Sequence, residues 1–147
     1  MTAQPTSVTR IRVRYAETDQ MGVVYHANYL IWMEVARVDY CRASGFRYKD
    51  LESEHGVLLA VTEVACRYLS PARYDDEVEI VTSLRKANHR AVTFEYELRS
   101  DTGRRIATAH TSHIFLNREM RPTTLPVQFR AMLVGGLGAA TARERSS

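Results

Sequence analysis

An acidic residue, Asp19, precedes a glycine and a strongly apolar stretch in the segment YAETDQMGVVYHANYL, residues 15–30. A helix that begins near His26 would leave the backbone N–H groups of its first turn without intrahelical partners, at the positive end of the helix dipole. Gly22 permits a tight turn, so Asp19 can lie beside those donors. This arrangement suits acyl transfer, because a carboxylate can attack or activate water while backbone donors hold the developing oxyanion.

Other interpretations of these residues stay open. Asp19 is also suited to accept hydrogen bonds from loop N–H groups, as aspartates in turns commonly do. Glu34, inside the predicted helix, is an alternative catalytic acid or a buried structural acid with a paired neighbour. Tyr15 either contacts substrate or packs as a buried tyrosine at the end of a strand. Glu17 is expected to face solvent.

Two elements flank this segment. In TRIRVRY, residues 9–15, apolar residues alternate with arginines up to Tyr15, which predicts a strand with one buried face. From about His26 to Ser44 apolar residues recur at helical spacing and cover nearly every side of the helix, which predicts central burial. Gly45 is suited to end this helix.

The rest of the chain reads mainly as strands. A short polar helix from Tyr48 to Glu54 is followed by four strand patterns, VLLAVTEVACRYLS, EVEIVTSLRK, AVTFEYELR and RIATAHTSHIFLN. Their short connections favour antiparallel pairing. We expect an α+β fold in which one antiparallel sheet wraps around a long central helix. One domain is predicted over residues 1–147, with a core at about 8–130, a short terminal helix in PVQFRAMLV and a flexible tail at about 135–147.

Several classes of function lack support. The chain has no G-x-S-x-G elbow, no phosphate-binding loop and no C-x-x-C pair, and Cys41 and Cys66 are expected to be small core side chains. A metal site is not expected, because His110 and His113 would point to opposite faces of a strand. No apolar run reaches the roughly 20 residues of a membrane helix, and the N-terminus does not resemble a secretory signal, which favours the cytoplasm. The net charge of +3 comes without a dense basic tract, so nucleic acid is not an expected partner.

The motif Y-A-E-T-D-Q-M-G-V-V-Y-H-A-N-Y-L, followed by W-M-E-V-A-R, resembles the hotdog-fold acyl-CoA thioesterases. The resemblance is to the 4-hydroxybenzoyl-CoA thioesterase-like family, of the type associated with the Tol-Pal system. It covers about residues 8–130, because YLSPARYDDEVEI also resembles that family's second strand and turn. It implies that Asp19 is the catalytic nucleophile or base and that the backbone N–H at His26 polarises the thioester carbonyl, with Tyr15 beside them. The loop that leads to this oxyanion hole contains Gly22, Val24 and Tyr25.

The resemblance also implies an activity and an assembly. The activity is hydrolysis of an acyl-CoA to a carboxylic acid and free coenzyme A, with coenzyme A as part of the substrate and no metal or redox cofactor. The assembly is a homodimer or a homotetramer with the active site between subunits. Basic residues in LRKANHR, namely Arg85, Lys86 and Arg90, are candidates to bind the phosphates of coenzyme A. Two alternatives are a hydratase or dehydratase of the same fold, with His26 and Glu34 as its acid and base, and a non-catalytic acyl-CoA-binding domain.

Overall fold

The structure is a computed structural model that describes residues 6–136. The strands are β1 (Thr6–Arg12), β2 (Leu58–Tyr68), β3 (Glu77–Ala87), β4 (Ala91–Ser100) and β5 (Arg105–Leu116). The helices are α1 (Asn28–Ser44), α2 (Tyr48–His55) and α3 (Val127–Ala131), with a 3-10 turn at Tyr15–Glu17 and a π-helical segment at Met132–Gly136.

The five strands form one antiparallel sheet in the order β1-β3-β4-β5-β2. This confirms the predicted fold class, but consecutive strands are not always neighbours. Strand β2 lies at one edge of the sheet and pairs with β5. The next strand, β3, lies near the other edge and pairs with β1, so β2 and β3 are not neighbours. As a result β2 has one side without a strand partner among the described elements, and most of its residues are exposed.

Helix α1 packs across one face of the sheet. Its buried side contributes Trp32, Met33, Ala36 and Tyr40, which are at most 3% exposed. They meet a layer of inward-facing strand residues: Val78, Ile80, Phe94, Leu98 and Ile106. Removing a large apolar side chain from such a core typically costs about 2–5 kcal/mol. The helix therefore provides a rigid base for whatever lies at its N-terminus.

The ends of α1 partly match the sequence prediction. Gly45 ends the helix with a φ of +114°, as predicted, and the N–H of Phe46 donates to the carbonyl of Cys41 at 3.1 Å. The start is two residues later than predicted, at Asn28 and not at His26. Helix α2 agrees with its predicted range to within one residue at its C-terminal end.

The prediction that α1 is buried on all sides is wrong for the single chain. Leu30, Ile31 and Val35 are between 41% and 57% exposed, and Glu34 beside them is also exposed. One chain supplies only one sheet face, so it covers only one side of the helix. Exposed apolar strips of this kind are common at interaction surfaces of proteins.

Two further boundaries differ from the prediction. Strand β1 ends at Arg12, and Tyr15 lies in the 3-10 turn with 77% of its surface exposed, so it is not a buried strand-end residue. The predicted tail at about 135–147 begins inside the π-helical segment, and residues 137–147 lie outside the described residues. None of the helices within residues 6–136 is long and apolar enough to cross a membrane.

Candidate active site

The loop that carries Asp19 is a small hairpin closed by a bridge between Thr18 and Val24. The N–H of Asp19 donates to the carbonyl of Val23 at 2.8 Å, and the N–H of Gly22 donates to the carbonyl of Asp19 at 3.0 Å. Gly22 has a φ of +78°, which residues with a β-carbon rarely adopt. The turn therefore depends on a glycine at this position.

The Asp19 carboxylate is half-buried and uses one oxygen inside the loop. Its Oδ1 accepts a hydrogen bond from the N–H of Met21 at 2.8 Å, the turn role considered in the sequence analysis. No hydrogen bond to its Oδ2 is formed by the residues that the structure describes. Asp19 thus combines a structural contact with one carboxylate oxygen that is available for chemistry.

Asp19 lines a groove of about 360 Å³, a volume in the range of small-ligand sites. His26 and Tyr29 contribute from the start of α1, and Tyr68 and Pro71 contribute from the end of β2 and the segment after it. The Tyr68 hydroxyl donates to the carbonyl of His26 at 3.0 Å, which ties the edge strand to the helix start. Three segments distant in sequence therefore meet around Asp19.

The chain at the start of α1 offers two unpaired backbone donors, and the first of them belongs to His26, which lines this groove. The N–H groups of Asn28, Tyr29 and Leu30 donate to the carbonyls three residues earlier, at 2.9, 3.4 and 3.2 Å. The N–H groups of His26 and Ala27 have no hydrogen-bond partner within residues 6–136. Two donors at a helix N-terminus can stabilise a developing negative charge. The first of them, at His26, is the donor expected from the sequence.

Glu17 is buried, and the expectation that it faces solvent is wrong. Only 6% of its surface is exposed. Its carboxylate accepts hydrogen bonds from the backbone N–H of Arg14 and from the indole Nε1 of Trp32, both at 2.8 Å. Burial alone would raise the pKa of the Glu17 carboxyl, but these bonds and the nearby Arg14 charge lower it below its usual value.

The other predicted catalytic groups lie apart from the groove. The Tyr15 ring is outside the residues that line it and makes an edge contact with Tyr74 at 5.7 Å between centroids. Glu34 is exposed, with no hydrogen bond or ion pair to any described residue. The interpretation of Glu34 as a buried, paired structural acid is therefore wrong for the single chain. Glu34 lies about 9 Å along the axis from the first residue of α1, at 1.5 Å per residue.

Val24 and Tyr25 connect the hairpin to the helix. The Val24 N–H donates to the carbonyl of Ala72 at 2.8 Å, and the Tyr25 N–H donates to the carbonyl of Glu17 at 2.9 Å. Both N–H groups are therefore already paired. Val24 lines the groove, whereas the Tyr25 ring is 48% exposed and packs against the His26 imidazole.

The basic hairpin, formed by the end of β3 with Arg85 and Lys86 and the following turn with Arg90, is at the opposite end of the sheet. Strand β3 starts beside the Asp19 loop, where Val23 bridges Arg73, and ends at the hairpin that carries Arg90. At about 3.3 Å per residue, its length separates the hairpin from the loop by roughly 30 Å. Arg85 also forms an ion pair with Glu95. Within one chain the structure does not bring Arg85, Lys86 or Arg90 near Asp19.

The histidines of β5 face opposite sides of the sheet, as predicted. His110 contacts the Glu63 carboxylate at 2.8 Å, and His113 is buried with its Nε2 2.8 Å from the Thr111 hydroxyl. Burial, with the nearby Arg37 charge, lowers the pKa of His113 to about 3, so its ring is neutral. Residues 6–136 contain no cluster of three or more His, Cys, Asp or Glu that could hold a metal ion.

Comparison with known proteins decides the family. The model of the Thioesterase-like superfamily matches residues 13–133, which include the Asp19 loop, α1 and all strands after it. The chain belongs to this superfamily. YneP of Bacillus subtilis (strain 168) is 40% identical over 124 residues, covering 84% of this chain and 87% of YneP.

Two further similar proteins, one compared by sequence and one by structure, agree with this family and with the fold. Acyl-CoA thioesterase YbgC of Haemophilus influenzae is 32% identical over 122 residues, covering 82% of this chain and 89% of that protein. The solved structure of DHNA-CoA thioesterase from Staphylococcus aureus superposes with a TM-score of 0.81 and 32% identity, covering 96% of this chain and 91% of that one. The predicted resemblance to hotdog-fold acyl-CoA thioesterases is therefore confirmed.

Three residues at or beside this groove were not predicted from the sequence: Glu17, Tyr68 and Pro71. Glu17 stands in the polar run AETDQ, which reads as a solvated loop, although its position three residues after Arg14 satisfies half of a capping-box pattern. Tyr68 and Pro71 reach the groove only because β2 ends beside α1, a long-range arrangement for which the local sequence has no signal.

Proposed function

We propose that this chain is an acyl-CoA thioesterase that hydrolyses an acyl-CoA to a carboxylic acid and free coenzyme A. One observation carries the proposal: Asp19, with one carboxylate oxygen unpaired within residues 6–136, lines the same groove as His26, whose N–H is also unpaired there. The next residue, Ala27, offers a second unpaired N–H. The relatives named as acyl-CoA thioesterases support the same substrate class. The thioester carbonyl would lie with its oxygen toward the two N–H groups.

Two routes are consistent with this arrangement. In the first, an Asp19 oxygen attacks the carbonyl carbon, the C–S bond breaks, coenzyme A leaves as a thiolate that takes a proton, and water hydrolyses the acyl anhydride. In the second, Asp19 removes a proton from water, the resulting hydroxide attacks the carbonyl carbon, the same C–S bond breaks, and the leaving thiolate takes the proton from Asp19. Both pass through an oxyanion that His26 and Ala27 N–H groups stabilise, and one such donor is typically worth about 3 kcal/mol. Neither route needs a metal or redox cofactor.

The exposed apolar surface supports assembly into a homodimer or a homotetramer. Ile31 and Val35 on α1 and Val61 and Val64 on β2 are between 41% and 57% exposed, and β2 is an edge strand. A second copy would cover both the helix strip and the strand edge. We further propose that acyl-CoA binds where the copies meet.

This assembly bears on the basic hairpin. Because Arg85, Lys86 and Arg90 lie roughly 30 Å from Asp19 in the same chain, they would bind coenzyme A phosphates only at the site of another copy. Two predicted roles also belong to the proposal: Tyr15 as a substrate contact outside the groove of the single chain, and Val24 and Tyr25 as parts of the loop that leads to the oxyanion hole. Both cysteines are free, which suits the proposed cytoplasmic location. The association with the Tol-Pal system stays a prediction.

A substrate panel tests the function. Purified protein is mixed with short-chain, long-chain and aromatic acyl-CoAs, released thiol is followed with a chromogenic reagent, and products are identified by mass spectrometry. We expect equal amounts of free coenzyme A and carboxylic acid from at least one class. Hydration or dehydration of the acyl chain without thiol release would instead indicate the hydratase alternative. Saturable binding without any product would indicate the acyl-CoA-binding domain.

A further inference from the structure

Glu17 is the most connected residue of the Asp19 loop. Its carboxylate accepts hydrogen bonds from the Arg14 N–H and the Trp32 indole, both at 2.8 Å. Its carbonyl accepts two more, from the Tyr25 N–H at 2.9 Å and the Asn28 side-chain amide at 2.8 Å. These donors come from the residue before the 3-10 turn, the chain before α1, and the first two turns of α1.

The two halves of the candidate site meet at this residue. Asp19 follows Glu17 by two positions and projects from the hairpin, whereas the free N–H groups of His26 and Ala27 belong to the helix start. The carbonyl bonds hold both sides of the hairpin base together. The bond to Trp32 then fixes that base against the buried side of α1, where Trp32 is only 2% exposed.

We propose that Glu17 is a positioning residue that sets the distance between the Asp19 carboxylate and the oxyanion donors of His26 and Ala27. This inference rests on the proposed function. The carboxylate is required because all of its partners are N–H donors: the Arg14 backbone N–H, the Arg14 guanidinium at 3.5 Å and the Trp32 indole. A glutamine amide has one accepting oxygen and one donating nitrogen, so it would leave one buried donor facing another donor.

Loss of the hydrogen bonds to the Glu17 carboxylate is expected to lower kcat much more than it changes KM. Glu17 does not line the groove, so its replacement removes no substrate contact. A displacement of about 1 Å between reacting groups can cost on the order of a hundredfold in rate. We therefore expect Glu17→Gln to lower kcat about 10- to 100-fold while KM changes less than about twofold.

The test uses the single tryptophan of the chain as a reporter. In the full-length protein the Trp32 indole N–H gives one ¹H–¹⁵N signal, which should move and exchange faster with solvent in Glu17→Gln. Hydrogen–deuterium exchange of the peptide that covers residues 18–27 should also become faster. Glu119→Gln, which removes an exposed carboxylate at the opposite end of the sheet, should leave both readouts and kcat unchanged.

A reciprocal variant keeps the inference testable if Glu17→Gln folds poorly. Trp32→Phe removes the indole donor and keeps the carboxylate, so it should accelerate exchange in residues 18–27 and lower kcat without changing KM. The losses in the double variant should be much smaller than the product of the single losses. Unchanged exchange in residues 18–27, or unchanged kcat with a displaced indole signal, would overturn the positioning role. An inactive wild-type protein with the expected exchange changes would instead count against the proposed function alone.

Discussion

Replacement of Asp19 by asparagine separates the structural and chemical roles of this side chain. The amide oxygen of the introduced asparagine can still accept the hydrogen bond from the Met21 N–H, which is 2.8 Å long in the native loop. The side chain keeps its size, and Gly22 keeps the turn. What is lost is the negative charge and with it the ability to attack a thioester or to take a proton from water.

The separate structural and chemical roles of Asp19 set the expected effects of Asp19→Asn on stability and on turnover. Because the loop contact is preserved, the free energy of unfolding should change by no more than about 0.5 kcal/mol, the usual range for a surface substitution. Turnover should fall at least about 100-fold, which corresponds to about 2.7 kcal/mol of lost transition-state stabilisation. KM should change little, since the groove keeps its shape.

The assay compares thiol release by the wild type, Asp19→Asn and Glu34→Gln, with urea unfolding and sedimentation of each. Glu34→Gln is the matched control, because it removes one carboxylate from an exposed site outside the groove. We expect it to keep nearly full turnover. Retained activity in Asp19→Asn would refute the assignment, and a larger loss in Glu34→Gln would move the catalytic acid to the helix.

The remaining predictions concern assembly, coenzyme A and the turn. Sedimentation at micromolar concentration should give a dimer or tetramer, and an active monomer would contradict the proposed assembly. Replacing Arg85, Lys86 and Arg90 with glutamine should raise KM for acyl-CoA with little change in kcat, and should not affect a thioester of a short pantetheine-like thiol; equal loss on both substrates would exclude phosphate binding. Gly22→Ala should cost about 1–2 kcal/mol in urea unfolding, because φ is +78°, and should also lower kcat. Gly103→Ala, with a φ of +89° and equally open surroundings, should show a similar stability loss but normal turnover.

The main features of the site could be predicted because they are local. The spacing from Asp19 through Gly22 to the start of α1 spans one short segment, so turn chemistry and helix-end physics suffice to bring a carboxylate near unpaired N–H groups. The antiparallel sheet also follows from strand patterns joined by short connections. Those patterns are properties of neighbouring residues and do not depend on the rest of the fold.

The missed features depend on contacts between distant segments. Glu17 is buried by Trp32, fifteen residues later, and nothing in its polar neighbourhood indicates this. The apolar residues around α1 predict central burial, but in one chain they also form an exposed strip. A helical pattern does not specify whether the residues that cover the helix come from the same chain or from another. Arg85 is far from Asp19 because β3 runs away from the Asp19 loop. This direction follows from the sheet order and not from the local sequence.

The central claim is that the thioester carbonyl lies against the N–H groups of His26 and Ala27, beside Asp19. The most direct test is vibrational spectroscopy of Asp19→Asn bound to the acyl-CoA that the wild type hydrolyses fastest, with ¹³C at the thioester carbonyl. Donors at a helix N-terminus should polarise the C=O bond, so its stretching frequency should fall below the value for the same thioester in water. A frequency equal to or above the value in water would contradict the account.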